Sequence, residues 1–147
     1  AEFEMASQSE SGFLVYEDGW YAPESVPEDP DREWRWTAGL ARLSFRNPRA
    51  AATLYVEIDG RPELMENPQQ LILTIGELEV GSFSLAAEEP SFYVVDIPRE
   101  RFGDEESVVL TLTVDPSFVP AELTNSEDTD DRELGAQVFY LFLEQQL

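Results

Sequence analysis

The chain contains no cysteine, no histidine and no lysine, and each absence excludes a class of chemistry. Without cysteine there is no disulfide framework, no thiolate metal site and no cysteine nucleophile. Without histidine there is no imidazole general base and no histidine-bound metal ion. Without lysine there is no Schiff base and no lysine for a phosphate-binding loop. We assign no catalytic residues and expect the protein not to be an enzyme, because carboxylate pairs arise by chance among so many acids.

Positive charge is scarce as well. The 147 residues include 31 Asp and Glu but nine Arg, which gives a formal net charge of −22 at pH 7. Such a charge repels phosphates, so nucleic acid is not an expected partner. Hydrophobic residues make up 42% of the chain and aromatic residues 12%, which is too much apolar material for a disordered polyelectrolyte. No run of 18 apolar residues occurs, so direct membrane insertion is not expected.

The length suits one domain, and we expect a monomer. The first residues, Ala1-Glu2-Phe3-Glu4-Met5, lack the basic start and apolar run of a signal peptide. We therefore expect residues 1–11 to be a tag-like, disordered N-terminus and residues 12–147 to form a single β-sandwich domain.

Short apolar runs separated by turn signals dominate the rest of the chain. Several runs alternate with a period of two, which indicates strands with one buried face. The fold class we predict is all-β, an antiparallel two-sheet β-sandwich with about eight to ten strands and one or two short helical turns. The turns are expected near residues 63–70 and 98–102, and the acidic stretches 24–33 and 124–133 are expected to be surface loops. The predicted strands are 12–17, 33–37, 41–46, 53–58, 71–75, 78–80, 82–85, 92–97, 107–114 and 137–143.

Aromatic and arginine side chains are the main candidates for a binding site. Trp34 and Trp36 share one face of a strand and either fill the core or form a platform for a sugar ring, with Arg35 on the other face. Trp20 and Tyr21 follow a glycine in polar surroundings, where a platform role is easier to justify. We predict a glycan site made of Trp20, Tyr21, Trp34, Arg35, Trp36 and Glu24.

Charged residues at the ends of the predicted strands allow a second interpretation. An inward-facing arginine must be paired, because an unpaired buried charge is costly. Glu17, Glu24 and the acidic residues near 128–133 are the possible partners of Arg35, in an ion pair between loops at one end of the sandwich. Alternating acids in the second acidic loop leave open a structural calcium site at Asp128, Asp130 and Asp131, although the pattern lacks the glycine and glutamate of a helix-loop-helix site. No other cofactor is expected.

The order and spacing of three groups of motifs resemble those of a known module. They are Gly19-Trp20-Tyr21 with Trp34-Arg35-Trp36-Thr37 and Ala41-Arg42-Leu43, then the strand and proline turn of residues 92–98, and finally Phe118-Val119-Pro120 with Asp131-Arg132-Glu133-Leu134-Gly135. Over about residues 12–144 the chain resembles a bacterial jelly-roll domain, similar to carbohydrate-binding modules, that is associated with membrane glycosyltransferases and other envelope-polysaccharide proteins. The acidic stretch 23–33 and the lack of lysine depart from that pattern. The resemblance implies that Glu24, Arg35, Asp131 and Arg132 form either a ligand site or a structural ion-pair clasp between the first and last strands. We expect the clasp, because both motifs lie at element ends, where the strands must be held in register.

The resemblance implies a function that the residues alone do not. It implies a non-catalytic carbohydrate-binding-like accessory module that binds glycan beside a membrane glycosyltransferase. It also implies an extracytoplasmic location, periplasmic or at the cell surface, as part of a longer or membrane-associated protein. The alternative is a structural or protein-interaction β-sandwich domain with no sugar ligand.

Overall fold

The structure, a computed structural model, describes residues 2–4 and 14–146. This part of the chain contains eleven strands and three single 3-10 turns, at Pro62–Leu64, Arg99–Phe102 and Pro120–Glu122. None of the described helices is long and apolar enough to cross a membrane. The strands are β1 (Glu2–Glu4), β2 (Leu14–Tyr16), β3 (Glu24–Val26), β4 (Asp29–Trp36), β5 (Leu40–Arg46), β6 (Ala52–Asp59), β7 (Gln70–Ile75), β8 (Leu78–Ser84), β9 (Ser91–Ile97), β10 (Ser107–Asp115) and β11 (Gln137–Gln145).

The strands form two antiparallel sheets, as the sequence predicts. One sheet has the order β3-β4-β11-β6-β9, with β1 paired to β11 beside β4, and the other has the order β2-β5-β10-β7-β8. We call them the first and the second sheet. Strand β1 pairs through Glu2–Glu4 with Glu144, Leu143 and Phe142, although this segment was expected to be disordered. Residues 1 and 5–13, which hold the rest of the expected tag and the start of the predicted strand 12–17, lie outside the described residues.

The hydrophobic core lies between the two sheets and follows the period-two pattern of the strands. Strand β10 buries every second side chain, and its partner β5 does the same. Strand β6 contributes Leu54, Val56 and Ile58 from the first sheet. Because one face of each of these strands is fully buried, their pairing register is strongly specified.

The last strand, β11, is central in the first sheet, in agreement with its apolar side chains on both faces. A register shift between Val138 and Tyr140 marks a β-bulge at Phe139. The bulge inserts one extra residue and changes which side chains share a face. Val138, Leu141 and Leu143 are therefore buried together, whereas a strict period of two would place Val138 on the same face as Tyr140 and Phe142.

The acidic stretch 24–33 is not a loop but most of a hairpin. Strands β3 and β4 pair through Glu24 with Trp34 and Val26 with Asp29, and residues 27 and 28 form the turn. The prediction failed because the side chains from Ser25 to Asp31 are exposed. Backbone pairing needs no apolar alternation where neither face is covered, so the sequence shows no strand pattern there. Strand β8 likewise continues through Gly81, where two strands were expected.

Candidate functional site

Six aromatic side chains lie on the face of the first sheet that is turned away from the core. They come from four neighbouring strands, and each is partly exposed or exposed. The pairing register places Tyr140, Glu57 and Phe92 in one row across the sheet and Phe142, Tyr55 and Val94 in the next. We call this set the aromatic band: Trp34, Tyr55, Phe92, Phe139, Tyr140 and Phe142.

Four rings of the aromatic band contact one another in series, and Trp34 packs against Phe139 with ring centroids 5.9 Å apart. Tyr140 and Phe142 are stacked with ring centroids 6.0 Å apart and an interplanar angle of 27°. Phe92 meets Tyr140 edge to face at 6.1 Å, and Tyr55 packs against Phe142 at 5.7 Å. Phe92 is 60% exposed, so one end of the band is open to solvent.

An ion pair lies across the middle of the band. Arg32 donates from two nitrogens to the carboxylate of Glu57, at 3.2 and 2.7 Å, and its guanidinium carbon lies 4.3 Å from the centroid of the Phe139 ring. This bidentate contact fixes both side chains. The hydrogen bond to Glu57 raises the pKa of Arg32. Polar groups with free donor and acceptor capacity therefore lie beside exposed ring surface.

A buried polar cluster borders the band where β6 ends and β11 begins. Arg61 donates to Asp59 at 3.1 Å and to Gln137 at 2.6 Å, and it lies 5.2 Å from the ring centroid of Trp36. Burial raises the pKa of Asp59, although Arg61 opposes the shift. The second carboxylate oxygen of Asp59 and the indole nitrogen of Trp34 are buried and have no hydrogen-bond partner within the described part of the chain. Unpaired buried polar atoms are costly, so both positions are energetically unfavourable in the free protein.

Trp20 and Tyr21, which the sequence suggests as a platform for a sugar ring, both donate side-chain hydrogen bonds to backbone carbonyls. Trp20 packs on the core and donates its indole N–H to the carbonyl of Arg42 at 2.7 Å. The Tyr21 hydroxyl donates to the carbonyl of Glu133 at 2.8 Å, and Arg132 lies 5.0 Å from its ring centroid. Trp36 is 8% exposed and meets Phe118 edge to face. Among the predicted aromatic residues, Trp34 alone belongs to the aromatic band.

The predicted clasp residues contact each other in part. Arg132 pairs with Glu24 at 3.1 Å, which joins β3 to the segment before β11. Its main partner is Asp130, at 2.8 and 3.0 Å, rather than the exposed Asp131. Arg35 pairs with no carboxylate of the described residues: it lies 3.8 Å from the Tyr16 ring centroid and donates to the carbonyl of Tyr21. An aromatic face and a carbonyl thus replace the expected acidic partner.

The acidic loop is arranged around this arginine. The Asp128 carboxylate accepts the backbone N–H of Asp130 at 2.8 Å, and the Asp130 carboxylate is held by Arg132. Within residues 2–4 and 14–146, no group of three or more acidic side chains is arranged to hold a metal ion. The described structure therefore shows no ligand set for the calcium site considered at Asp128, Asp130 and Asp131. The guanidinium of Arg132 is hydrogen-bonded to the carboxylate of Asp130.

Most of the aromatic band was missed by sequence reasoning. Tyr55, Phe92, Tyr140 and Phe142 occur in strands that the sequence predicts, but aromatic residues are common in any β-strand, so they do not by themselves indicate a site. One feature of the sequence does point to the band: these strands carry aromatic residues at positions that face solvent, where polar residues are usual. Their convergence depends on the strand order β11-β6-β9, which does not follow chain order.

Comparison with solved structures identifies proteins that have a similar fold. No protein-family description and no curated protein sequence matches the chain. Among solved structures, the CBM36-1 domain of a multidomain xylanase from the hindgut metagenome of Trinervitermes trinervoides has a TM-score of 0.55 at 10% identity, covering 100% of this chain and 98% of that chain. The C-terminal CBM6 of LamC, a marine laminarinase from Zobellia galactanivorans, has a TM-score of 0.51 at 9% identity, covering 99% and 100%.

A third similar structure was solved with a sugar. It is the carbohydrate-binding module CBM6cm-2 from Cellvibrio mixtus lichenase 5A in complex with cellotriose, with a TM-score of 0.51 at 6% identity, covering 100% of this chain and 98% of that chain. At these identities the similarity shows the fold alone. The chain therefore has a jelly-roll β-sandwich fold whose structural neighbours are carbohydrate-binding modules.

Proposed function

We propose that the protein is a non-catalytic glycan-binding module whose ligand lies along the aromatic band. The observation that carries the proposal is the clustering of rings on one solvent-facing sheet surface. Four of them contact one another from Tyr55 to Phe92, Trp34 packs against Phe139, and the bidentate Arg32–Glu57 pair lies beside them. A monomeric surface with this much clustered aromatic area is usually a binding site. The carbohydrate-binding fold of the structural neighbours supports the same conclusion.

The geometry suits an extended oligosaccharide that crosses the strands. Neighbouring strands are about 4.8 Å apart, so the band from β4 to β9 is roughly 14 Å long. The C–H face of a pyranose ring packs on an aromatic ring, and its hydroxyls hydrogen-bond at the rim. Arg32 supplies donors and Glu57 supplies acceptors beside Tyr140 and Phe92, where they reach the edge of a stacked sugar.

The test is a glycan array of envelope-type and plant-type polysaccharides, followed by calorimetric titration of the best ligand. Phe92→Ala is the decisive variant, because the side chain is 60% exposed and its loss leaves the core intact. We expect about tenfold weaker binding, the effect of one aromatic contact. Val109→Ala, a 44% exposed side chain on β10 in the second sheet, is the matched control and should bind like the wild type.

Two outcomes would overturn the proposal. One is that no polysaccharide on the array binds. The other is that Phe92→Ala and Val109→Ala bind a ligand equally well, which would place the site elsewhere. A binding defect in Trp20→Ala without loss of stability would favour the Trp20–Tyr21 surface instead.

The partner and location form a further part of the proposal. The motif resemblance of residues 19–43 and 118–135 supports a module that works outside the cytoplasm beside a membrane glycosyltransferase. The deciding observation is the parent gene and its neighbours. Membrane spans or a glycosyltransferase encoded in the same or the adjacent reading frame would support this part, and a cytoplasmic parent protein would refute it.

A protein-interaction role is the second candidate, and one observation favours it. Strand β9 is an edge strand of the first sheet, and its Phe92 and Val94 are 60% and 54% exposed. Exposed apolar edge strands readily pair with another chain. A silent glycan array together with a partner protein whose binding is abolished by Phe92→Ala would favour this role.

A further inference from the structure

The nine arginines of this acidic chain fall into three groups according to their partners. Arg32, Arg42, Arg61 and Arg132 each make an ion pair with a carboxylate. Arg35 lies against the Tyr16 ring. The remaining four have no carboxylate oxygen of the described residues within 4.0 Å, although acids outnumber arginines 31 to 9: Arg46, Arg49, Arg99 and Arg101.

These four arginines come from two neighbouring segments. Arg46 ends β5 and Arg49 follows in the β5–β6 connection, whereas Arg99 and Arg101 lie in the 3-10 turn after β9. The side chain of Asn47 joins the two connections by donating to the carbonyls of residues 103 and 105, at 3.0 and 2.9 Å. We call this surface the arginine end.

The structure holds two of the guanidinium groups by carbonyl oxygens. Arg49 Nη1 donates to the carbonyl of Asp104 at 3.1 Å, and Arg99 Nε donates to the carbonyl of Arg49 at 3.0 Å. Both side chains line a surface depression together with Glu100, Gly103 and Asp104. A guanidinium has five N–H donors, so each arginine keeps four for a ligand. Carbonyls fix the position of these cations without neutralising their charge.

The backbone of Arg49 adds an independent observation. Its φ of 56° lies in the left-handed region, which residues other than glycine and asparagine seldom adopt. Asn47 holds this conformation by accepting the N–H of Arg49 at 2.9 Å. A long cationic side chain therefore stands where the turn itself would favour glycine, which is typical of positions kept for function.

We propose that the arginine end binds an oxyanion group, a carboxylate or a sulfate ester, between Arg49 and Arg99. Guanidinium groups match the paired oxygens of such anions. Glu100 and Asp104 lie in the same depression and accept hydroxyls, so the ligand that fits best is an oxyanion on a hydroxyl-rich molecule such as an acidic sugar. The site uses no residue of the aromatic band and does not depend on the glycan binding proposed there.

The test is NMR titration of the full chain, following the backbone amides of residues 99–104 and the arginine Nε–H signals. The probes are sodium sulfate and sodium galacturonate, with sodium chloride and galactose as controls, all at one ionic strength. We expect saturable shifts confined to the arginine end with sulfate, galacturonate or both. Saturation by one alone identifies the group as a sulfate or a carboxylate.

The variants Arg99→Gln and Arg49→Gln should each weaken binding about tenfold, because each removes one charged donor group. Arg42→Gln is the matched control, since Arg42 is an exposed arginine already paired with Asp18. Unchanged amide spectra elsewhere establish that the variants are folded. Shifts that do not saturate, shifts equal to those with chloride, or equal binding by Arg99→Gln and Arg42→Gln would overturn the proposal.

Discussion

Replacing Arg132 by glutamine tests whether the contact between the first hairpin and the last connection stabilises the fold. Arg132 donates to Asp130 through Nε and Nη2, at 3.0 and 2.8 Å, and to Glu24 through Nη1 at 3.1 Å. It also lies 5.0 Å from the ring centroid of Tyr21. The substitution removes the charge and the two Nη groups but keeps a polar side chain.

The expected loss follows from these contacts and from their exposure. Charge-assisted hydrogen bonds contribute about 1.5–3 kcal/mol each when shielded from water. The three side chains are 25–37% exposed, so solvent screening reduces the total to about 1–2 kcal/mol. For a domain of this size, that loss lowers Tm by about 5 °C.

Thermal unfolding at neutral pH, followed by circular dichroism, measures the effect. Arg42→Gln is the control, because Arg42 and Asp18 are 41% and 63% exposed, and such pairs contribute little. Its Tm should change by no more than about 2 °C. If the two variants have the same Tm, the contact of Arg132 with Glu24 and Asp130 does not act as a clasp.

Acid provides a second check with a defined sign. The hydrogen bonds from the Arg132 side chain and backbone lower the pKa of Asp130. A carboxyl whose pKa is lowered by folding stabilises the fold above its unfolded pKa and loses that contribution as pH falls through its folded pKa. The stability difference between wild type and Arg132→Gln should therefore shrink below about pH 4. A difference that stays constant into strong acid would refute this account.

Two further substitutions test buried polar groups. Gln69→Leu should lower the free energy of unfolding by about 3 kcal/mol, as measured by urea titration. The reason is that Gln69 is fully buried and makes three hydrogen bonds with backbone groups. The control is Gln70→Leu at the exposed neighbouring position, which should have little effect. Burial raises the pKa of Asp59, so the folded state takes up its proton before the unfolded chain does and gains stability from Asp59 as pH falls. The gain develops in the range above the ordinary carboxyl pKa of about 4. Asp59→Asn should lose this gain in urea titrations across that range, and parallel pH profiles of wild type and variant would contradict it.

The parts of the fold that followed from the sequence are those with one buried face. In β10 the alternation of Val108, Leu110, Leu112 and Val114 predicts the buried set, and all four are at most 3% exposed. The short turn after Pro98 is likewise confirmed by the 3-10 turn at Arg99–Phe102. In such segments a local pattern is sufficient, because burial on one side dictates residue type at every second position.

The candidate site did not follow from the sequence, for two physical reasons. The bulge at Phe139 turns Tyr140 and Phe142 away from the core, and a bulge leaves little trace in a strand that is apolar on both faces. Phe92 and Tyr140 come close because β9 and β11 both pair with β6, one on each side, and this long-range pairing is not visible in the local sequence. By contrast, Glu24 and Arg132 are 108 residues apart, and their contact was predicted from motif resemblance rather than from any local pattern.

The net charge of −22 gives the proposed oxyanion site an unusual dependence on salt. A basic surface binds anions more weakly at every increase in ionic strength. Here an approaching anion meets long-range repulsion from the whole molecule and short-range attraction from Arg49 and Arg99. The repulsion acts over many ångströms and is largely screened at about 0.1 M salt, where the Debye length is about 10 Å, whereas a direct guanidinium contact is screened much less. Galacturonate affinity should therefore rise between about 0.01 and 0.1 M sodium chloride and fall toward 1 M. A steady decrease over the whole range would show that local charge alone controls binding, and the balance argued here would be wrong.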